Sequence, residues 1–225
     1  MRRLVALGAL GALAVLAAAC GSSATHAATT TTTAASASAG FRYGTAACPP
    51  ATPPVTRPTT FADAPKRCIE NGVDYGAVVT TSEGAFTIDL LEKSAPGTVN
   101  NFVVLARWGW FNGGGFHRVV PGFVIQAGGV PVDRVKAGYT IADELPASRS
   151  DYKPGTVAMA NAGPDTGATE WFVCIDCSKL PAADYPIFGT VTAGMDVVAR
   201  IEGLGTGNGP PSKPVTITSV TVTQK

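Results

Sequence analysis

The sequence predicts a mainly β domain whose antiparallel sheet closes on itself and carries two helices. Three observations support this. Short segments alternate apolar and polar residues at period two. Only two segments repeat apolar residues at intervals of three and four. Those two stand too far apart for the repeating strand–helix–strand units of a parallel sheet.

Residues 77–81 and 85–90 read as strands joined through Ser82-Glu83-Gly84, with Phe86, Ile88 and Leu90 alternating with Thr87 and Asp89. Pro96 suits the first residue of a helix. Val99, Phe102, Val103 and Ala106 then form one apolar face, and Gly109 ends the pattern. Gly113-Gly114-Gly115 is a turn, and strands follow at 116–120, 123–127, 156–160, 171–174 and 187–191. Residues 195–201 form the second helix. The last strand, 215–223, holds Val215 and Ile217 out of phase with Val220 and Val222. A bulge near Thr218-Ser219 absorbs that slip.

The first residues read as an address. Met1-Arg2-Arg3 is basic, 4–16 is apolar but short for a membrane span, and Ala17-Ala18-Ala19-Cys20-Gly21 closes the segment. This is the pattern of a cleaved leader, 1–19, with small residues running into a cysteine as in a bacterial lipoprotein box. Cys20 would then be the lipidated first residue, anchoring the protein to the outer face of the cytoplasmic membrane. Between Ser22 and Ala39 every residue except His26 is Ser, Ala or Thr. Such a stretch buries no core, so 20–47 reads as a flexible tether. Six prolines between Pro49 and Pro65 make 48–72 a stiff, irregular arm, and the domain proper spans 73–225. Loss of Arg2 and Arg3 with the leader takes the formal charge from +1 to −1. That balance gives no basic field for nucleic acid, and nothing suggests more than a monomer.

Export permits disulfides. With Cys20 assigned to lipid, Cys48, Cys68, Cys174 and Cys177 remain. A bridge between Cys48 and Cys68 would tie the arm to the domain. Cys174-Ile175-Asp176-Cys177 has redox spacing, yet it follows a strand, and Pro181 and Pro186 leave no room for the helix that lowers a thiol pKa. A structural disulfide or a pair of buried thiols is the expectation there. The chain has no G-x-S-x-G, H-E-x-x-H or P-loop lysine motif, and the predicted domain holds one histidine, His117. No metal or cofactor is implied.

The stretch Phe116-His117-Arg118-Val119-Val120-Pro121-Gly122-Phe123-Val124-Ile125-Gln126-Ala127-Gly128-Gly129 describes two strands around a Pro-Gly turn. It also resembles the signature of the cyclophilins, the prolyl isomerases. Two further blocks agree in order: Met159-Ala160-Asn161-Ala162-Gly163-Pro164 with Glu170-Trp171-Phe172-Val173, and Phe188-Gly189 with Gly194-Met195-Asp196-Val197-Val198. The resemblance runs from about Tyr75 to Thr223. It implies a closed eight-stranded antiparallel β-barrel capped by two helices, and rotation of X–Pro bonds in proline-containing peptides or unfolded exported proteins.

The resemblance also implies site residues. Arg118 matches the catalytic arginine, and His117 a supporting residue. Phe123, Val124, Phe172 and Tyr185 match the proline pocket. Gln126 would bond the substrate backbone, and Ala160 and Asn161 would meet the residue before proline. Glu170 stands where the family usually has glutamine, and Trp171 where it has phenylalanine. Residues 130–137 replace a longer glycine-rich loop. Leu180 falls where cyclosporin-sensitive members carry tryptophan, which implies weak cyclosporin binding. These departures leave a second reading, a catalytically weak module that binds proline-containing segments.

Overall fold

The computed structural model describes residues 41–50, 57–128 and 137–225. The predicted leader, Cys20, the tether before residue 41, residues 51–56 of the arm and residues 129–136, with Gly129 of the signature stretch, lie outside the described residues. In chain order the elements are β1 (Tyr75–Thr81), β2 (Gly84–Leu90), α1 (Pro96–Arg107), β3 (Phe116–Val120), β4 (Val124–Gly128), β5 (Thr156–Met159), β6 (Glu170–Cys174), β7 (Ile187–Ala193), α2 (Met195–Glu202) and β8 (Ile217–Gln224). Each predicted strand and helix has its counterpart, with ends moved by at most two residues.

The strands form one antiparallel sheet ordered β3-β4-β6-β5-β7-β2-β1-β8. The expected closure fails at its two ends: the sheet is an open half-barrel. Between β3 and β8 runs no ladder, only a bridge from Gly115 to Thr216 and a few backbone bonds around it, such as Phe116 N–H to the Val215 carbonyl at 3.1 Å. The cause is written before β8. Pro210, Pro211 and Pro214 lack the N–H a ladder requires. Residues 204–216 therefore cover the β3 edge as a loop, meeting it where Val119 N–H donates to the Gly209 carbonyl at 2.8 Å.

The predicted bulge in β8 is present. Thr80 pairs with Ser219 but Thr81 with Ile217, so Thr218 is the extra residue. That lets Ile217 and Val220 both face inward from positions of opposite parity.

The main core lies between the concave sheet face and the helices. Phe102 of α1 packs within 5.0–6.0 Å of the rings of Phe111, Phe188 and Trp171. Ala95 caps α1 without a side-chain bond. Glu144 supplies the missing acceptor: its carboxylate takes the N–H groups of Gly97 (3.0 Å) and Thr98 (2.7 Å) and the Thr98 hydroxyl (2.8 Å). A carboxylate there satisfies orphan donors and opposes the helix dipole.

The arm packs on the domain. Cys48 and Cys68 form a disulfide. Asn100 of α1 accepts from the Cys68 and Ile69 N–H groups at 2.6 and 3.1 Å. Phe61 packs its ring tilted against Trp110 and edge-on to Tyr139, with centroids 5.6 and 5.9 Å away.

Candidate functional site

Strand alternation sorts β4, β5 and β6 into two faces. Ile125, Ala127, Val157, Met159, Trp171 and Val173 enter the main core. Val124, Ala158, Phe172 and Cys174 point the other way and build a second apolar cluster with Tyr152, Cys177 and Leu180. Val120, Phe123, Ala160, Ala183, Tyr185 and Ile187 pack against its margin. An apolar surface on the convex side of a sheet needs a cover of its own, and loops 148–152 and 177–187 provide it.

Register then brings the polar residues to that face. Arg118 pairs with Gln126, Gln126 with Phe172, and Phe172 with Ala158, one row across four strands. A bulge makes this possible. Phe116 pairs with Ala127 and Arg118 with Gln126, so His117 is extra. Without it Phe116 and Arg118 would share a face; with it Phe116 is buried in the core while Arg118 joins Gln126 on the opposite face. The β3–β4 turn is a Pro-Gly turn closed by Phe123 N–H to the Val120 carbonyl at 3.0 Å, with Gly122 at φ 64°. At Gly128, φ is 117° and a Cβ would lie 2.2 Å from the Thr169 carbonyl oxygen. Only glycine lets β4 approach the start of β6 so closely.

Arg118 is held at two points. Its Nε donates to Asn208 Oδ1 at 2.6 Å and its Nη1 to Gln126 Oε1 at 3.1 Å. Its guanidinium carbon lies 5.7 Å from the centre of the Phe123 ring. Gln126 Nε2 in turn donates to Glu170 Oε2 at 2.9 Å, and His117 Nε2 lies 3.5 Å from the same oxygen. Beside them Phe172 and Tyr185 meet edge to face with centroids 5.4 Å apart.

The remaining predicted positions border this face. Val124 and Leu180 are buried in the cluster, and Arg149 Nη1 donates to the Leu180 carbonyl at 3.0 Å. Ala160 gives its N–H to the Glu170 carbonyl at 2.8 Å. Asn161 Nδ2 donates to the Asp184 carbonyl at 2.7 Å. Cys174 and Cys177 are joined as a disulfide and buried under the cluster, so the C-x-x-C is not two thiols here. Among the described residues no three His, Cys, Asp or Glu side chains gather as a metal site.

Two residues at the site escaped sequence reasoning. Asn208 lies in a Gly-rich loop about ninety positions from its partner, and no local pattern marks it. Tyr152 donates its hydroxyl to the Tyr185 carbonyl at 2.7 Å and accepts from the Tyr185 N–H at 3.0 Å. Burial pushes its pKa up to about 12, so it stays a donor. It fixes the loop that carries Tyr185. A separate cavity of about 490 Å³, bordered by Leu91, Glu144, Leu145, Lys153 and Thr190, contains none of the predicted site residues.

The chain is similar to known proteins in both sequence and fold. The family model described as cyclophilin type peptidyl-prolyl cis-trans isomerase/CLD matches residues 77–222. A peptidyl-prolyl cis-trans isomerase of Helicobacter pylori is 37% identical over 131 residues, which cover 56% of this chain and 79% of that protein. A peptidyl-prolyl cis-trans isomerase-like 1 of Aspergillus oryzae is 37% identical over 134 residues, 57% of this chain and 82% of that one. A mouse peptidylprolyl isomerase domain and WD repeat-containing protein 1 is 35% identical over 170 residues, 72% of this chain. The chain spans only 25% of that longer relative. Among solved structures, a Cryptosporidium parvum cyclophilin type peptidyl-prolyl cis-trans isomerase superposes with TM-score 0.59 at 20% identity, covering 68% of this chain and 99% of its own. The same protein was also solved in the presence of the dipeptide Ala-Pro, with TM-score 0.58 and 21% identity.

Proposed function

This chain belongs to the cyclophilin-type peptidyl-prolyl cis-trans isomerase family, and we propose that it rotates X–Pro bonds in exported proteins with Arg118 as the catalytic group. The observation that carries the reading is an arginine anchored at Nε and Nη1 beside an apolar cluster of its own. Amide rotation meets a barrier of roughly 20 kcal/mol because the planar form is resonance-stabilised. No bond is made or cut, so no nucleophile is needed. The twisted state returns a lone pair to the prolyl nitrogen. A fixed cationic donor aimed at it binds that state better than either planar one.

In this mechanism the proline ring sits on Phe123, Val124 and Phe172, with Tyr185 and Leu180 at the far wall. Gln126 and the Ala160–Asn161 backbone hold the peptide on the side before proline. Glu170 and His117 border the same side. The neighbour solved with Ala-Pro supports a proline-containing ligand for this fold.

Exchange NMR on a short X–Pro peptide, with wild type and Arg118→Ala, tests the reading. Faster exchange with wild type only is expected. Equal exchange with both removes the enzyme, and saturable binding without turnover makes the chain a binding module.

The address completes the proposal: leader cleavage before Cys20, lipid on Cys20, and residence outside the cytoplasmic membrane as a monomer. The sequence Ala17-Ala18-Ala19-Cys20-Gly21 supports it, and two disulfides suit an oxidising compartment. Labelling cells with an alkyne fatty acid should mark the wild-type protein and not Cys20→Ala. Equal labelling of both would remove the anchor.

A further inference from the structure

A glutamine amide has a donor end and an acceptor end, and its partners decide which way it faces. Gln126 stands between two groups of opposite kind. The Arg118 guanidinium can only donate, and an ionised Glu170 can only accept. The amide then has one satisfied orientation, Oε1 to Arg118 at 3.1 Å and Nε2 to Glu170 at 2.9 Å. Turned over, it would set N–H against guanidinium and oxygen against carboxylate. A glutamine at position 170, the residue implied by the family resemblance, could serve either orientation.

We propose that Glu170 is a positioning residue whose ionised carboxylate locks Gln126 and, through it, aims Arg118. With Asn208 fixing Nε, the lock at Nη1 leaves the guanidinium one plane in which to meet the groove. Protonated, Glu170 can donate as well as accept, so it no longer opposes the turned-over amide, and the orientation rests on Arg118 alone. The charged groups described on the strands around this carboxylate are His117 and Arg118 of β3; Gln126 of β4 and Ala160 before β6 are neutral. The catalytic consequence rests on the isomerase reading, but the lock itself does not.

The test separates the two. In uniformly ¹⁵N-labelled protein without peptide, the Gln126 Nε2 resonances, assigned with Gln126→Ala, are followed from acid to neutral pH in wild type and Glu170→Gln. Wild type should show a carboxyl titration at these resonances that Glu170→Gln lacks. The isomerisation rate of wild type should fall with the same midpoint. Glu170→Gln should lose about three- to tenfold in kcat with KM changed less than about twofold, since the loss is of aim rather than of contact. Gln126 resonances indifferent to both pH and Glu170→Gln, or a loss confined to KM, would overturn the proposal. Titrating resonances in a protein without turnover would keep the lock and remove the isomerase reading instead.

Discussion

Replacing Arg118 by lysine keeps the charge and removes the fork, which makes it the sharpest probe of the mechanism. The structure gives Nε to Asn208 and one Nη1 hydrogen to Gln126, and among the described residues no bond holds the Nη2 end. An ammonium on a flexible stem can reach Asn208 or Gln126, but it cannot be held by both and still present a donor at a fixed angle. Removing a preorganised donor of this kind costs about a hundred- to a thousandfold in rate, or roughly 3–4 kcal/mol. Arg118→Ala should lose that much, and Arg118→Lys should come within about fivefold of alanine rather than of wild type. Exchange NMR gives the rate, and saturation of the same peptide gives binding, which should change little because the apolar cluster remains. Arg118 is half-exposed, so unfolding curves should coincide. A lysine variant keeping more than about a third of the wild-type rate would show that charge without geometry suffices, and the reasoning would fail.

The other predictions concern stability and pH. Glu144→Ala should lower unfolding free energy by about 2 kcal/mol in urea titrations, because three donors at the start of α1 lose their acceptor. Cys48→Ser with Cys68→Ser should cost about 3 kcal/mol, and the Cys174/Cys177 pair about 2 at most, since the closed loops differ in length (separations of 20 and 3). Asp143 is raised above its usual pKa, first by burial and then by the neighbouring Asp165 and Asp184 charges against hydrogen bonds that oppose the rise. A carboxyl with a raised folded pKa binds its proton more tightly folded than unfolded. Its contribution is therefore present below pH 3.8 and lost as pH climbs through the raised value. Asp143→Asn should raise Tm at pH 7 relative to wild type, with the gain shrinking toward pH 3. A constant difference across that range would refute the assignment.

Local pattern foretold most of the fold. Period-two strands, Pro96 at the helix start and the phase slip at Thr218 all appear where the residues place them. Closure was misread because it depends on what lies between elements: three prolines before β8 withdraw donors from a ladder that strand periodicity alone would complete. At the site, the residues within the resembling blocks were legible, and two loop residues outside them were not. Arg118, Gln126 and Phe172 share a row by register, whereas Asn208 and Tyr152 join it only through tertiary folding. Glu170 was visible as a departure, yet its link to Gln126 needed coordinates, because the two meet diagonally across the β4–β6 register, which neither strand's own pattern fixes.

The unladdered seam gives residues 204–216 two duties at once. They shield an edge strand that could otherwise recruit strands from other chains, and they carry the amide that anchors Arg118. A lesion in this loop would thus surface as insolubility and as inactivity together. Selection for a well-behaved protein would preserve Asn208 and Gly209 even where turnover was never screened.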